Sequence, residues 1–310
     1  MRVLVAGATG VIGRPLVKAL REAGHEVVGT TRSRPEVVEE MGGEPMVVDA
    51  LNTDELRAGV IEARPEVVIN QLTNLPQRIN YRRSAESLGP TTELRGKVGP
   101  ALAGIAAEAG ARRMIAQSVC FFYASTGKPA HTEDDPLFEL PPELPEAQGA
   151  IALQSLERAT LETPGIEGVV LRYGWFYGPG SAYARDGSWG QDARKRRFPV
   201  VGRGTGIFSF VHVDDTVTAT VAALDRGSGT YNVCDDDPAP MSEWLPVYAE
   251  ALGAKPPRRV PVWLAGVIAG KQAATMSTRL EGASNEKAKL ELGWEPKYSS
   301  WRQGFREALG

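Results

Sequence analysis

Cysteine is almost missing from this chain: its 310 residues include Cys120 and Cys234 and no others, far too few for a disulfide framework. Histidine is as scarce, with His25, His131 and His212 and no two at metal-ligand spacing, so no metal site is expected. An excess of charge of one sign is absent too. The formal net charge is -3 with both signs interspersed, which argues against a nucleic-acid or anionic-lipid footprint. The longest apolar stretch, Val260 to Ala269, is interrupted by Pro261 and falls well short of the roughly 20 residues that cross a bilayer. Arg2 leads directly into an apolar run, with no signal-peptide pattern. These absences point to a cytoplasmic protein whose partner is a small molecule, with no nucleic acid and no membrane.

Glycine, in contrast, is plentiful at 34 residues, and three of them are placed with purpose. An apolar run from Arg2 to Ala6 is followed by Gly7-Ala8-Thr9-Gly10-Val11-Ile12-Gly13 and then by a helical pattern with Leu16 and Leu20 one turn apart. Glycines at 7, 10 and 13 allow a tight turn, close approach to a pyrophosphate and close packing of helix on strand. Strand before and helix after make this an anion cradle at a helix N-terminus. Gly24 is placed as a C-cap before a second strand from Glu26 to Gly29.

Strand and helix patterns then alternate: a strand at Pro45–Asp49, a helix at Asp54–Ala63 and a strand at Val67–Asn70. A polar segment with Arg78, Arg82 and Arg83 precedes a helix from about Ala101 to Ala109, a strand at Met114–Ala116, a helix at about Ala147–Glu162 and a strand at Val169–Arg172. Repeated βαβ units predict an α/β fold with a Rossmann-type, doubly wound parallel sheet whose ligand lies outside the carboxyl ends of the strands. Beyond Tyr177 the pattern loosens at Gly178-Pro179-Gly180. Phe208–Val213 and Tyr231–Cys234 read as strands returning to the sheet, with Asp214 or Asp215 capping a helix at Thr216–Leu224. The expected division is a dinucleotide-binding domain over 1–177, joined by 207–235, and a small, mostly helical substrate region formed by 178–206 and 236–310.

Four segments together resemble the extended short-chain dehydrogenase/reductase superfamily. They are the glycine loop, Leu171-Arg172-Tyr173-Gly174-Trp175-Phe176-Tyr177-Gly178-Pro179-Gly180, Phe210-Val211-His212-Val213-Asp214-Asp215 and Glu291-Leu292-Gly293-Trp294. The resemblance implies a bound nicotinamide dinucleotide, with Gly7, Thr9, Gly10, Val11, Ile12 and Gly13 at its pyrophosphate. Members that prefer NAD carry an acidic residue at the end of the second strand. Here that end reads Thr30-Thr31-Arg32-Ser33-Arg34, and Arg32, Ser33 and Arg34 suit a 2′-phosphate, so NADP is favoured over NAD. By position in the resemblance, Asp49 and Ala50 meet the adenine. Gln71, Leu72 and Thr73 lie beneath the nicotinamide-side ribose, with Tyr173 near the nicotinamide and Gln117 a further cofactor contact. A homodimer is common among such proteins.

What the chain lacks most tellingly is the family's Tyr-x-x-x-Lys pair, in which lysine lowers the phenol pKa and tyrosine shuttles the proton. No tyrosine here has a lysine four residues on. Aligning Glu157 with the family's glutamate after the lysine puts Leu153 at the lysine position and Gly149 at the tyrosine position. The third hydroxyl falls on Val119 or, with a one-residue shift, on Ser118, which either touches substrate or is satisfied by backbone. Replacement candidates are Ser118, Tyr123 and Tyr173, with Tyr177 and Gln148 nearby. His131 belongs to a polar loop that could rim the pocket.

Phe121, Phe122, Trp175, Phe176, Tyr183, Trp189 and Phe208 lie in segments expected around the pocket and suit a ring-containing molecule. Arg185 and the run Arg194 to Arg197 could instead hold a phosphate. The leading expectation is an atypical NADP-dependent carbonyl reductase or dehydrogenase of a small, ring-containing metabolite. Against it stand a non-catalytic NADP sensor and a sugar-nucleotide epimerase or dehydratase.

Overall fold

The computed structural model describes residues 1–145 and 147–309. Its first strand, β1 (Arg2–Ala6), explains the unbroken apolar run at the start of the chain. Val3 and Val5 enter a core on one face of the sheet, Leu4 enters a second core on the other, and all three are fully buried. A strand buried on both faces cannot alternate apolar and polar residues. The same division recurs in β4 (Val67–Asn70), where Val67 and Ile69 face one core and Val68 the other.

With β2 (Glu26–Thr31), β3 (Glu44–Val47) and β5 (Arg113–Val119), these strands build a seven-stranded sheet, parallel throughout. Its order is Gly229–Val233, Glu167–Tyr173, β5, β4, β1, β2, β3. The chain winds outward from β1 in both directions, so a crevice opens between the carboxyl ends of β1 and β4. This is the doubly wound α/β architecture expected from the sequence.

Three differences matter for the site. The stretch between Arg83 and Ala101 is helical: α-helix at Ser84–Glu93, a π-helical stretch at Leu94–Val98, then α-helix at Gly99–Glu108. Pro90 and Pro100 remove backbone donors, and the change of pitch lies between them. Phe208–Val213 does not join the main sheet. Phe210–His212 pairs in parallel with Trp175–Tyr177, and Ile207–Phe208 pairs with Ala239–Pro240. Finally, the helix Val213–Ala222 is capped by His212, whose Nδ1 accepts from the Asp214 backbone N–H at 3.1 Å, and not by an aspartate. Asp215 instead accepts from the backbone N–H groups of Lys297 and Tyr298, fastening the C-terminal segment.

A third, aromatic core lies beyond the sheet, where Tyr183, Phe208, Phe210, Trp244, Tyr248 and Phe305 meet largely edge to face. The aromatic-rich segments expected around the pocket are spent mostly here. Of the seven aromatic residues, Phe176 and Trp189 line the cleft, while Tyr183 and Phe208 are core and Phe121 stacks on Trp175 at 4.2 Å. Among the described residues, no helix is long and apolar enough to cross a membrane.

Candidate active site

The glycine loop is shaped by what it must fit. Gly7 has φ +89°, and a Cβ there would stand 2.8 Å from the Gln71 carbonyl oxygen; at Gly13 a Cβ would stand 2.1 Å from the carbonyl oxygen of Gly7. The loop therefore lies directly on the end of β4. The helix it feeds, Gly13–Glu22, has no side-chain cap and no acidic residue in its first turn. Its N-terminal N–H groups and dipole are left for an anion.

Around this loop opens a cleft of about 1250 Å³. Gly7, Thr9, Gly10, Val11, Ile12 and Gly13 line it, joined by Arg32, Ser33 and Arg34 after β2, Asp49 and Ala50 after β3, Gln71, Leu72 and Thr73 after β4, and Gln117 of β5. Fifteen residues named from the sequence thus share one cavity. The donors and acceptors suit a dinucleotide. Arg34 is pinned over the loop, its Nη2 donating to Thr9 Oγ1 at 3.0 Å. Asp49 accepts from the Leu51 N–H through Oδ1 and is otherwise exposed. Gln71 donates through Nε2 to Tyr173, while its buried Oε1 has no partner among the described residues.

The three hydroxyls suggested as catalytic are placed differently. Ser118, Tyr123 and Tyr173 are buried, and none lines the cleft. Ser118 donates to Glu157 at 2.5 Å, so its partner is a carboxylate and neither backbone nor an open pocket. Tyr123 donates to Asn232 Oδ1 at 2.8 Å and accepts from Arg172 Nη1 at 2.9 Å. Burial pushes its phenol well above the usual range despite the adjacent guanidinium. Tyr173 sits between Thr220 Oγ1 and Gln71, and burial raises it to about 12 against the lowering effect of those hydrogen bonds. Tyr177 is likewise fully buried in the aromatic core.

Nor does any described residue of the helix Ala147–Glu162, which carries Gly149 and Leu153, line the cleft. Pro90, Glu93 and Leu94 of the neighbouring helical segment do. Leu153 is 1% exposed, and a Cβ at Gly149 would meet only Thr92 Oγ1, at 3.9 Å. His131 does not rim the cavity: it is fully buried, with Nε2 2.8 Å from Glu281 and Nδ1 3.3 Å from Asp135. Arg185 and Arg194 to Arg197 are also absent from the lining, Arg185 donating to the Leu309 carbonyl and Arg196 to that of Pro256. The other wall draws instead on Asn74 to Ile79 and on Phe176, Gly180 to Ala182, Asp186 to Trp189 and Gln191. Asn74 to Ile79 are the part that sequence reasoning missed, since a short mixed stretch broken by Pro76 carries no periodicity. Its position just after a strand's carboxyl end was the available signal.

Comparison with known proteins agrees with this geometry. The chain is 43% identical over 306 residues to a 3-diazoavenalumate denitrifying reductase of a Streptomyces species, covering 98% of this chain and 99% of the relative. It superposes on a UDP-glucose 4-epimerase of Thermotoga maritima bound to UDP-glucose with a TM-score of 0.78, at 22% identity and 99% and 97% coverage. It superposes on a human epimerase family protein bound to NADPH with a TM-score of 0.75, at 20% identity and 99% coverage of both chains. The reductase relative and the family match together support a nicotinamide-dependent function of oxidoreductase type. A family model matches residues 3–234, three quarters of the length, and the chain belongs to the NAD-dependent epimerase/dehydratase family.

Proposed function

We propose that the protein binds NADPH in preference to NADH and reduces a diazo group carried by a small, ring-containing acid, with loss of dinitrogen. One observation carries the reading: the residues expected to hold a dinucleotide share one cleft, while Gly149 and Leu153 occupy the positions aligned with the family's proton-transfer pair. Carbonyl reduction needs a proton delivered to oxygen as hydride reaches carbon, and neither side chain can ionise. Loss of a diazonium group needs no such proton. Reduced nicotinamide, when bound, supplies a hydride whose two electrons form the new C–H bond, while the C–N bond breaks and its electron pair leaves with N2. The positive charge of the diazonium and the negative charge of the hydride cancel. The name of the 43% identical relative describes this class of reaction on a diazo carboxylate.

The protein's own residues then have binding and orientation to perform. The loop from Gly7 to Gly13 receives the pyrophosphate, Arg32, Ser33 and Arg34 the 2′-phosphate, and Asp49 and Ala50 the adenine. Gln71, Leu72, Thr73 and Gln117 hold the nicotinamide end. Phe176 and Trp189 offer flat apolar surfaces to a ring. The absence of Arg185 and Arg194 to Arg197 from the lining weighs against a nucleotide-sugar substrate.

The test is turnover of a 15N-labelled diazo-hydroxycinnamate with NADPH deuterated at C4 on either face. One N2 released per NADPH consumed, with deuterium on the carbon that bore the diazo group, is the expected result. Tight NADPH binding without oxidation would favour a sensor, and reduction that keeps nitrogen in the product would refute the denitrifying step.

A further inference from the structure

We propose that Arg78 is the specificity-determining residue of the substrate half of the cleft and binds the substrate's carboxylate. The inference deepens the reading above and rests on it for the ring-containing acid. Among the described residues lining the cleft, the cations are Arg32, Arg34 and Arg78. The first two follow β2 and lie with the glycine loop. Arg78 lies apart from them, in the Asn74–Ile79 stretch of the wall that also carries Phe176 and Trp189. A cavity end with aromatic surfaces and one guanidinium is complementary to an aryl acid.

The geometry leaves that guanidinium available. Arg78 pairs with Asp192, Nη1 with Oδ2 and Nη2 with Oδ1, the latter at 3.1 Å. The aspartate is buried, whereas the arginine side chain is 58% exposed. A guanidinium has five N–H donors, and a two-point pair along one edge uses two of them. Nε–H and the outward N–H groups therefore remain free for a second carboxylate from the cleft. The ring of Tyr81, three residues on, stacks on Trp189 at 6.2 Å, so the segment carrying Arg78 is tied to the helix Ser188–Arg194 at two points.

Calorimetric titration of the NADP-loaded protein with 4-hydroxycinnamate and with its methyl ester tests this. The acid should bind about 10- to 100-fold more tightly than the ester, the range of a charge-assisted pair. Arg78→Gln should abolish that difference by weakening the acid alone, and Arg78→Lys, a charge without the fork, should fall between. Acid and ester binding equally to the native protein, or a preference that survives Arg78→Gln, overturns the proposal, as does failure of the acid to bind at all. The native acid-to-ester ratio decides the matter even where a variant does not fold. Diazo turnover is a separate readout: its failure with acid preference intact would sink the denitrifying reading and leave Arg78 in place.

Discussion

Arg172 and Glu157 form a two-point ion pair inside the molecule, Nε to Oε1 at 2.9 Å and Nη2 to Oε2 at 2.6 Å, with both side chains 7% exposed. Strand Glu167–Tyr173 is thereby bolted to helix Ala147–Glu162, and Ser118 and Tyr123 join the same network. Removing one partner strands a buried charge. Glu157→Ala should cost about 3–5 kcal/mol in urea denaturation, and Glu157→Leu with Arg172→Met should recover most of it. Equal losses in the single and double variants would show that the pair is not the cause.

The hydroxyls in this network should matter to stability more than to rate. Tyr123→Phe leaves Asn232 Oδ1 and one Arg172 N–H short of a partner, so a loss of about 1–3 kcal/mol is expected, with kcat within about threefold of native. Ser118→Ala should behave alike. A hundredfold fall in kcat at unchanged melting temperature would restore these groups to the chemistry.

The proposed preference for NADPH rests on Arg32 and Arg34. Replacing both by alanine should weaken NADPH about 10- to 100-fold and leave NADH nearly unchanged, read by fluorescence titration of each cofactor. Parallel losses for the two would assign the arginines to the shared pyrophosphate.

The two positions aligned with the family's acid-base pair, Gly149 and Leu153, should respond unequally. Gly149→Ala meets ordinary free space on a helix and should stabilise by roughly 0.5–1 kcal/mol. Leu153→Lys places an ammonium where 1% of the side-chain surface reaches water, and should destabilise by several kcal/mol at neutral pH unless the lysine sheds its proton. Thermal melts from pH 6 to pH 10 would separate the cases, the lysine variant recovering as pH rises.

Glu281 sets an acid limit. Burial pushes its carboxyl up, but hydrogen bonds from Ser125, Thr126, Gly127 and His131 outweigh this and bring it from 4.5 to about 2. Because the folded value is the lower one, its stabilisation is full above pH 4.5 and disappears as pH falls toward 2. Glu281→Gln should lower stability at pH 7 and flatten its decline between pH 4.5 and 2, seen in urea midpoints across that range. An unchanged slope would reject the assignment.

Much of the cofactor side was legible in the residues because its determinants are local. A glycine loop between strand and helix, and short polar runs after β2, β3 and β4, announce themselves through spacing alone. The helix Ala147–Glu162 and the strands Arg2–Ala6 and Val67–Asn70 have the expected bounds for the same reason. The opposite wall was not legible. Its aromatic residues serve a core and a cleft with identical chemistry, and only packing decides between them. Ser84–Val98, interrupted by glycine and proline, is helical because Gly96 and Gly99 let it approach Ala152 and Leu156, a tertiary fact.

Gly149 and Leu153 also differ as places to engineer. At Gly149 the neighbouring atoms leave room for a side chain, and at Leu153, 1% exposed, they leave none. A group grafted at the first position meets open space, whereas one grafted at the second must push packed atoms aside, so any redesign of this helix has one tolerant seat and one closed one.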